Sequence, residues 1–436
     1  MNSITIVFDA QIFKKVFYNP ESATGIFYVS LNIFKQLSKR DDIDLLVYCP
    51  DDVIVIQEVI QSYFPKQNFK YLKPKWILQE RIKMARSVLK KQKKYIKRFA
   101  LKLVQMSLKP FISILNNREH QKNIDIINTA TAFFSPFVAK PKNVTTTTYT
   151  ILHDVIPNVI PNVIPSYREN VADTQSWFHK LIKSLNSNDY YFAVSEHTRQ
   201  DFLKYYPQIL PHHIITALLA CDEAFFVKSQ DEIYKSKVKY NIPLDKKYIF
   251  SLCTLEPRKN LIRMIDTFLT FTEKHNINDM VLVLGGGSWD KFMQEFTRHI
   301  GILSEAKQNK ILKIGYVDEE DLPSLYSGAL WFVYTSMYEG FGLPPLEAMS
   351  CGCPIITSNN TSLPEVVGDA GIMIDYDSDE QHIEAYEKYY FNERLRGENS
   401  QKGLERAKQF SWKKCVDIMV DTIKATTKSS KEDLPK

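Results

Sequence analysis

Apolar residues in the second half of the chain fall into short unbroken runs. Longer stretches separate them, in which apolar positions recur every three or four residues. The runs Tyr248–Cys253, Met280–Leu284, Ile311–Ile314, Leu330–Tyr334, Pro354–Thr357 and Ile372–Ile374 read as strands buried on both faces. Between them, Asn260–Thr272, Trp289–Ile302 and Glu319–Ser327 carry helical spacing. Such alternation predicts a parallel sheet covered by helices on both sides. The first half alternates less evenly. Strands are expected at Ile4–Phe8, Asp44–Cys49, Ile124–Ile127, Thr148–Leu152 and Tyr190–Val194, and helices at Gly25–Leu37, Arg168–Leu185 and Glu196–Tyr206. Two α/β domains follow from this pattern, with a linker expected near Asp222–Lys237.

Two stretches interrupt it. Ile156–Pro165 reads IPNVIPNVIP, and a proline at every fourth position argues against a regular helix. It follows His153-Asp154 at the end of an expected strand, so it is read as a loop at the rim of a cleft. Lys73–Lys109 holds thirteen Lys or Arg and one acid, Glu80. Its apolar positions, among them Ile77, Leu78, Ile82, Ala85, Val88 and Leu89, recur mostly at helical spacing. This is a basic amphipathic helix or helix pair. It suits an anionic membrane surface, with packing on the first domain or an oligomer contact as the alternatives.

Composition narrows the class. The 436 residues are long for one core and suit two domains; 44% apolar and 24% charged residues are those of a soluble globular protein. The net charge of +6 is modest. The N-terminal sequence MNSITIVFDA runs straight into a strand and lacks the basic start of a signal peptide. No apolar run reaches the ~20 residues of a membrane span. The six cysteines are scattered and sit mostly in apolar context. Cys351-Gly352-Cys353 has no second pair with which to build a zinc site. A reducing, cytoplasmic setting is expected. No nucleic-acid-binding module is present, and no Gly-x-Gly-x-x-Gly follows the first strand, which disfavours hydride transfer from a dinucleotide.

The chemistry concentrates between Ser336 and Gly371, SMYEGFGLPPLEAMSCGCPIITSNNTSLPEVVGDAG. Glu339 and Glu347 flank a Gly-Phe-Gly-Leu-Pro-Pro turn between two apolar runs. A helix is expected to start near Pro345 and to stop at Gly352, with Glu347 in its first turn and Glu339 ahead of it. The two carboxylates would then lie on opposite sides of a ligand held at a helix N-terminus. Asp-x-Asp triplets at Asp42/Asp44, Asp375/Asp377 and Asp377/Asp379 do not end strands and are read as incidental.

This segment resembles the C-terminal signature of family-4 retaining glycosyltransferases of the GT-B fold, which carry a Glu-x7-Glu pair. Thr254-Leu255-Glu256-Pro257-Arg258-Lys259-Asn260, Leu284-Gly285-Gly286-Gly287, Gly315-Tyr316-Val317 and Asp321-Leu322-Pro323-Ser324-Leu325-Tyr326 fit the same family in order. The resemblance implies two Rossmann-like domains facing across a cleft. The first, residues 1–225, would bind acceptor and carry the basic insertion 73–118. The second, 226–410, would bind the donor, and 411–436 would cross back to the first as a helix and polar tail. It further implies that Arg258 and Lys259 act in catalysis by stabilising the donor diphosphate, with Glu339 and His153 also catalytic, and that Thr254 and Gly286 bind the donor. Glu347 would accept from ribose hydroxyls, and Glu339 would bind the donor sugar. Gly340, Phe341, Gly342, Leu343 and Pro344 would line the turn. His153 would contact the donor sugar, and Gly25, Asp154 and Ser195 would line the acceptor or phosphate side, although a plain helix cap by Ser195 is equally compatible.

The activity implied is retaining transfer of a hexose or deoxyhexose from a nucleotide diphosphate sugar, GDP-mannose or a UDP-sugar, to a glycan or lipid-linked glycan. No cofactor or metal is expected, and the setting is bacterial polysaccharide assembly on the cytoplasmic membrane face. A disaccharide phosphorylase or synthase on the same scaffold, and a catalytically idle binding subunit, are the alternatives.

Overall fold

The computed structural model describes residues 3–18, 25–49, 53–72, 120–137, 140–160, 177–252, 254, 256–287 and 290–432. The described residues form two parallel sheets. The first contains β1 (Ile4–Asp9), β2 (Ile43–Tyr48), β3 (Lys70–Tyr71), β4 (Ala132–Ser135), β5 (Thr148–Leu152), β6 (Tyr190–Ala193) and β7 (Ile214–Thr216), in the order β3-β2-β1-β4-β5-β6-β7. The second contains β8 (Lys247–Leu252), β9 (Met280–Gly285), β10 (Ile311–Gly315), β11 (Phe332–Tyr334), β12 (Ile355–Ser358) and β13 (Gly371–Ile374), in the order β10-β9-β8-β11-β12-β13. In each sheet the chain winds outward from its first strand, then returns to the other side of it. Between β1 and β4, and between β8 and β11, the connections leave in opposite directions. The crevice at the C-terminal ends of such strands is where an open α/β sheet takes its ligand.

Burial follows strand position. All six residues of β9 are buried, and MVLVLG contains no polar side chain. The edge strand β10, ILKIG, is only half-buried and turns Lys313 outward, which discourages pairing with another chain. In the first sheet, Phe8 stacks on Phe134 with ring centroids 5.7 Å apart, and meets the edge of Phe34 from helix Gly25–Leu37 at 5.1 Å.

Three expectations change. Residues 120–129 are helical, and the strand lies one element later at Ala132–Ser135. Ile124 and Ile127 are three residues apart and buried on one helix face, whereas Ile126 is 42% exposed. Ile156–Val159 forms one helical turn rather than loop. Pro157 lies in that first turn, where its missing N–H is harmless, and Asp154 accepts the Ile156 N–H at 3.1 Å. The stretch read as a linker is helical from Gln230 to Lys239, closed at its start by a reciprocal Ser229–Glu232 capping box. Residues 161–176 and the basic stretch Lys73–Lys109 lie outside the described residues.

The final helix, Trp412–Glu432, packs against helix Gly25–Leu37. Arg40 pairs with Asp417 and Lys424 pairs with Asp42, while the Tyr149 and Thr426 hydroxyls are 2.5 Å apart. The chain that leaves the second sheet therefore ends on the first.

Candidate active site

Beyond β8 the chain makes one tight turn, Pro257–Lys259, and then helix Leu261–Lys274. Asn260 separates the two with a φ of 60°, a left-handed value that asparagine tolerates better than most residues. The Arg258 carbonyl accepts from the Met337 N–H at 2.8 Å and the Ser336 hydroxyl at 3.1 Å. These bonds bind the turn to the segment after β11. Arg258 and Lys259 are consequently aimed at Glu339 rather than at solvent.

Three donors converge on one Glu339 oxygen. Arg258 Nη1 is 2.9 Å away, Lys259 Nζ 2.5 Å and the Tyr334 hydroxyl 2.9 Å. Lys259 also donates to the Tyr334 oxygen at 2.6 Å, and Arg258 pairs with Glu256 at 2.7 Å. Glu339 is 8% exposed and Lys259 7%. Burial alone would raise the Glu339 carboxyl, but the two neighbouring cations outweigh it and hold it at about 2. It is therefore ionised throughout the neutral range.

Glu347 lies across the turn in different surroundings. Its helix spans Leu343–Ser350, two residues earlier than expected, because Gly342 adopts a φ of 116° and reverses the chain there. Glu347 accepts from the Tyr326 hydroxyl at 3.0 Å. Burial pushes its carboxyl up to about 7; the Tyr326 bond opposes the rise, and the nearby Glu319 charge adds to it.

From the first sheet, β5 delivers His153 and Asp154. His153 Nε2 lies 2.9 Å from the Pro136 carbonyl, an acceptor only, so this nitrogen carries the hydrogen and Nδ1 is the ring's acceptor. Burial lowers the ring to about 4, so His153 is neutral. Gly25 opens its helix against the second domain. A methyl group placed on it would touch Leu343 at 3.8 Å, so helix N-termini from both domains meet there. Ser195 caps helix Glu196–Tyr205 by accepting the Thr198 N–H at 3.0 Å, and it also donates to the Gly340 carbonyl at 2.7 Å.

The structure thus brings Arg258, Lys259 and Glu339 into direct contact. Gly340 to Pro344, Glu347, Gly25, His153, Asp154 and Ser195 surround the same crevice. Thr254 is exposed at the mouth of the tight turn, and Gly286 donates its N–H to the Gly315 carbonyl at 2.7 Å at the end of β9. Neither touches the carboxylates. Sequence reasoning missed Tyr334 and Tyr326, which orient the two glutamates, and Ser362, whose hydroxyl bridges the Glu339 and Phe341 carbonyls at 3.0 and 2.6 Å. It also missed Asp9 at the end of β1, whose buried carboxyl is pushed to about 7 and held by Gln11. Tyr334 and Asp9 end strands whose neighbours were already expected to line a crevice, and that position was the available signal.

The chain is similar to known proteins in sequence and in fold. Residues 232–407 match the family described as glycosyl transferases group 1. The chain is 35% identical over 249 residues to O-antigen chain mannosyltransferase B of Escherichia coli, covering 56% of this chain and 62% of that protein. It is 31% identical over 250 residues to the E. coli serotype-specific mannosyltransferase WbdA, again covering 56% of this chain but 30% of that protein. The chain thus spans less than two thirds of either relative. Anabaena HepE, solved with UDP and glucose, superposes with a TM-score of 0.66 at 13% identity, over 97% of this chain and all of that one. WaaG, a glycosyltransferase involved in lipopolysaccharide biosynthesis, superposes with a TM-score of 0.59 at 13% identity, over 96% and 99% of the two chains. The fold is GT-B, and residues 232–407, which carry Arg258, Lys259, Glu339 and Glu347, resemble the glycosyl transferases group 1 family.

Proposed function

We propose that this protein transfers a hexose, with mannose first in line, from a nucleoside diphosphate sugar to a growing glycan or lipid-linked glycan in bacterial polysaccharide assembly, with retention at the anomeric carbon. The observation that carries this reading is the buried Arg258–Lys259–Glu339 cluster beside two converging helix N-termini. When the glycosidic bond breaks, charge builds on the leaving diphosphate. Fixed cations and helix dipoles stabilise that charge without reorganising, which is where an enzyme gains most. Ionised Glu339 keeps both cations in place before the donor arrives and offers acceptor oxygens to sugar hydroxyls. Neutral His153 offers Nδ1 to a hydroxyl without adding a competing positive charge. The departing phosphate takes the acceptor's proton during front-face attack.

Metal independence is part of the proposal. Four of the five Asp-x-Asp carboxylates are engaged with cations of the chain: Asp44 with Lys70 at 2.7 Å, Asp379 with Arg263 at 2.8 Å, Asp377 with the same Arg263, and Asp42 with Arg40 at 2.9 Å, while Asp375 accepts the Asp377 N–H at 2.9 Å. The E. coli mannosyltransferase relatives support mannose as the sugar and O-antigen-type glycans as the acceptor. The decisive assay incubates the protein with GDP-mannose and with UDP-sugars, an α-mannosyl acceptor and no divalent cation, and reads product anomers by NMR. An α-linked product from an α-donor supports the reading. Release of sugar 1-phosphate with orthophosphate would instead indicate a phosphorylase. Peripheral membrane contact through Lys73–Lys109 completes the proposal. None of the helices among the described residues is long and apolar enough to cross a membrane. Flotation should therefore follow anionic lipid content and fall with salt.

A further inference from the structure

The segment Tyr338–Phe341 alternates between the two domains. The Tyr338 hydroxyl donates to Asp201 of the first domain. Glu339 is held within the second, by Arg258, Lys259 and Tyr334 at its side chain and by the Ser362 hydroxyl at its carbonyl, 3.0 Å. The Gly340 carbonyl returns to the first domain and accepts from Ser195 Oγ at 2.7 Å and Thr198 Oγ1 at 2.9 Å. Phe341 returns to the second, its carbonyl 2.6 Å from Ser362 Oγ.

The approach is close. A Cβ on Gly340 would lie 1.9 Å from the His153 carbonyl oxygen, so the glycine is required by the contact between domains. A second tie closes the loop. Three residues after Ser362, the Glu365 carboxylate accepts the Glu196 N–H at 2.9 Å to each oxygen and the His197 N–H at 3.4 Å. The same helix start that grips Gly340 is therefore capped from the opposite domain. His197 pairs with Asp201 at 3.2 Å, holding the Tyr338 acceptor in place.

We infer that Ser195 and Thr198 are positioning residues for Glu339: their hydroxyls fix the Gly340 carbonyl, and so the backbone one residue beyond Glu339, only when the two domains are together. This rests on the proposed transferase reading for its consequence, but not for its geometry. Neither residue touches the reacting atoms. Their effect on turnover passes through the orientation of Glu339 between domains.

The test uses the full chain as Thr198→Val, Ser195→Ala/Thr198→Val and Thr198→Ser. Hydrogen–deuterium exchange over the peptide containing residues 336–345 reads positioning directly. Exchange there should quicken about 10-fold or more in the double variant and return to the wild-type rate in Thr198→Ser. In the transfer assay, kcat should fall about 10- to 100-fold in the double variant, with donor KM changed by less than about threefold. Thr198→Val alone, the milder change, should show the same split at smaller size. Unchanged exchange in folded variants overturns the inference, as does a loss confined to KM. If exchange responds while the wild-type protein transfers nothing from any nucleoside diphosphate sugar, the positioning stands and the transferase reading fails.

Discussion

The Gly340–Pro344 turn buries one carboxylate near each end and leaves them in opposite states. Glu339 meets two cations and a tyrosine hydroxyl and is held at about 2; Glu347 meets one tyrosine hydroxyl and is pushed to about 7. Chain position does not separate them, and neither does residue type. The difference is whether burial is matched by fixed positive charge. The Glu339 end is ionised at neutral pH and holds two cations in place, which in the proposed function face the donor diphosphate. The Glu347 end changes charge near neutrality and lies where hydroxyls, not phosphates, are expected. One turn thus offers two kinds of recognition.

The largest test of this contrast is Glu339→Gln. It keeps the shape but removes the charge that holds Arg258 and Lys259. Turnover should fall about 10²–10³-fold, while affinity for free nucleoside diphosphate changes by less than about threefold. The amide is the better probe than alanine, because both remove the counter-charge of the buried Lys259 but the amide oxygen still accepts from Lys259 and Arg258. Steady-state kinetics beside titration calorimetry checks the split; equal losses in both would erase the distinction between the two ends.

Lys259→Met keeps the packing of the stem and removes one cation. Turnover should drop about 10²-fold. Stability against acid supplies a second readout. The ordinary Glu value is 4.5 and the folded one about 2, so the stabilisation from Glu339 is present above 4.5 and is lost as pH falls through about 2. With Lys259 gone the folded value rises, and the midpoint of acid unfolding should move to higher pH. An unmoved midpoint would mean that Arg258 and Tyr334 suffice.

The Glu347 end should give smaller effects, displaced to near-neutral pH. Its folded carboxyl is raised, so the protonated form dominates below about 7 and the acceptor form above it. Nucleoside diphosphate affinity should rise between pH 6 and 8 by a factor of up to about 10. In Glu347→Gln that rise should shrink to the part contributed by the phosphate itself. Calorimetry of both proteins at the two pH values decides it. The smallest effect expected is that of EDTA. If Arg258 and Lys259 supply the charge at the diphosphate, activity should be unchanged in excess chelator, and a loss restored by magnesium or manganese would assign that role to a metal.

Much of this arrangement was legible in the chain. The Glu-x7-Glu spacing, the Pro-Arg-Lys turn and the continuous apolar strands are local features, and each is a direct statement about burial or backbone. Helix Gly25–Leu37 falls where its spacing predicts because its inward face, from Phe27 to Leu37, is apolar at helical intervals. The Ile124–Ile127 stretch was misread because three isoleucines in four residues satisfy a short strand and a helix face alike. Only the position of neighbouring strands decides between them. Tyr334 and Tyr326 were not legible as partners of the glutamates: ending a strand places Tyr334 near the crevice but does not say which group it meets, and nothing local distinguishes Tyr326 from a core tyrosine.

Sequence by itself determined the two-sheet α/β class, the crevice-forming turns and the identity of the charged groups, because period, glycine and proline act within a few residues. The tertiary structure alone decided which groups face each other. It set Arg258 and Lys259 on Glu339, left Glu347 to Tyr326, and threaded Tyr338–Phe341 alternately between the domains. Charge state and orientation depend on what lies a few ångströms away in space, and such neighbours can be far apart along the chain, as Ser195 is 145 positions from Gly340.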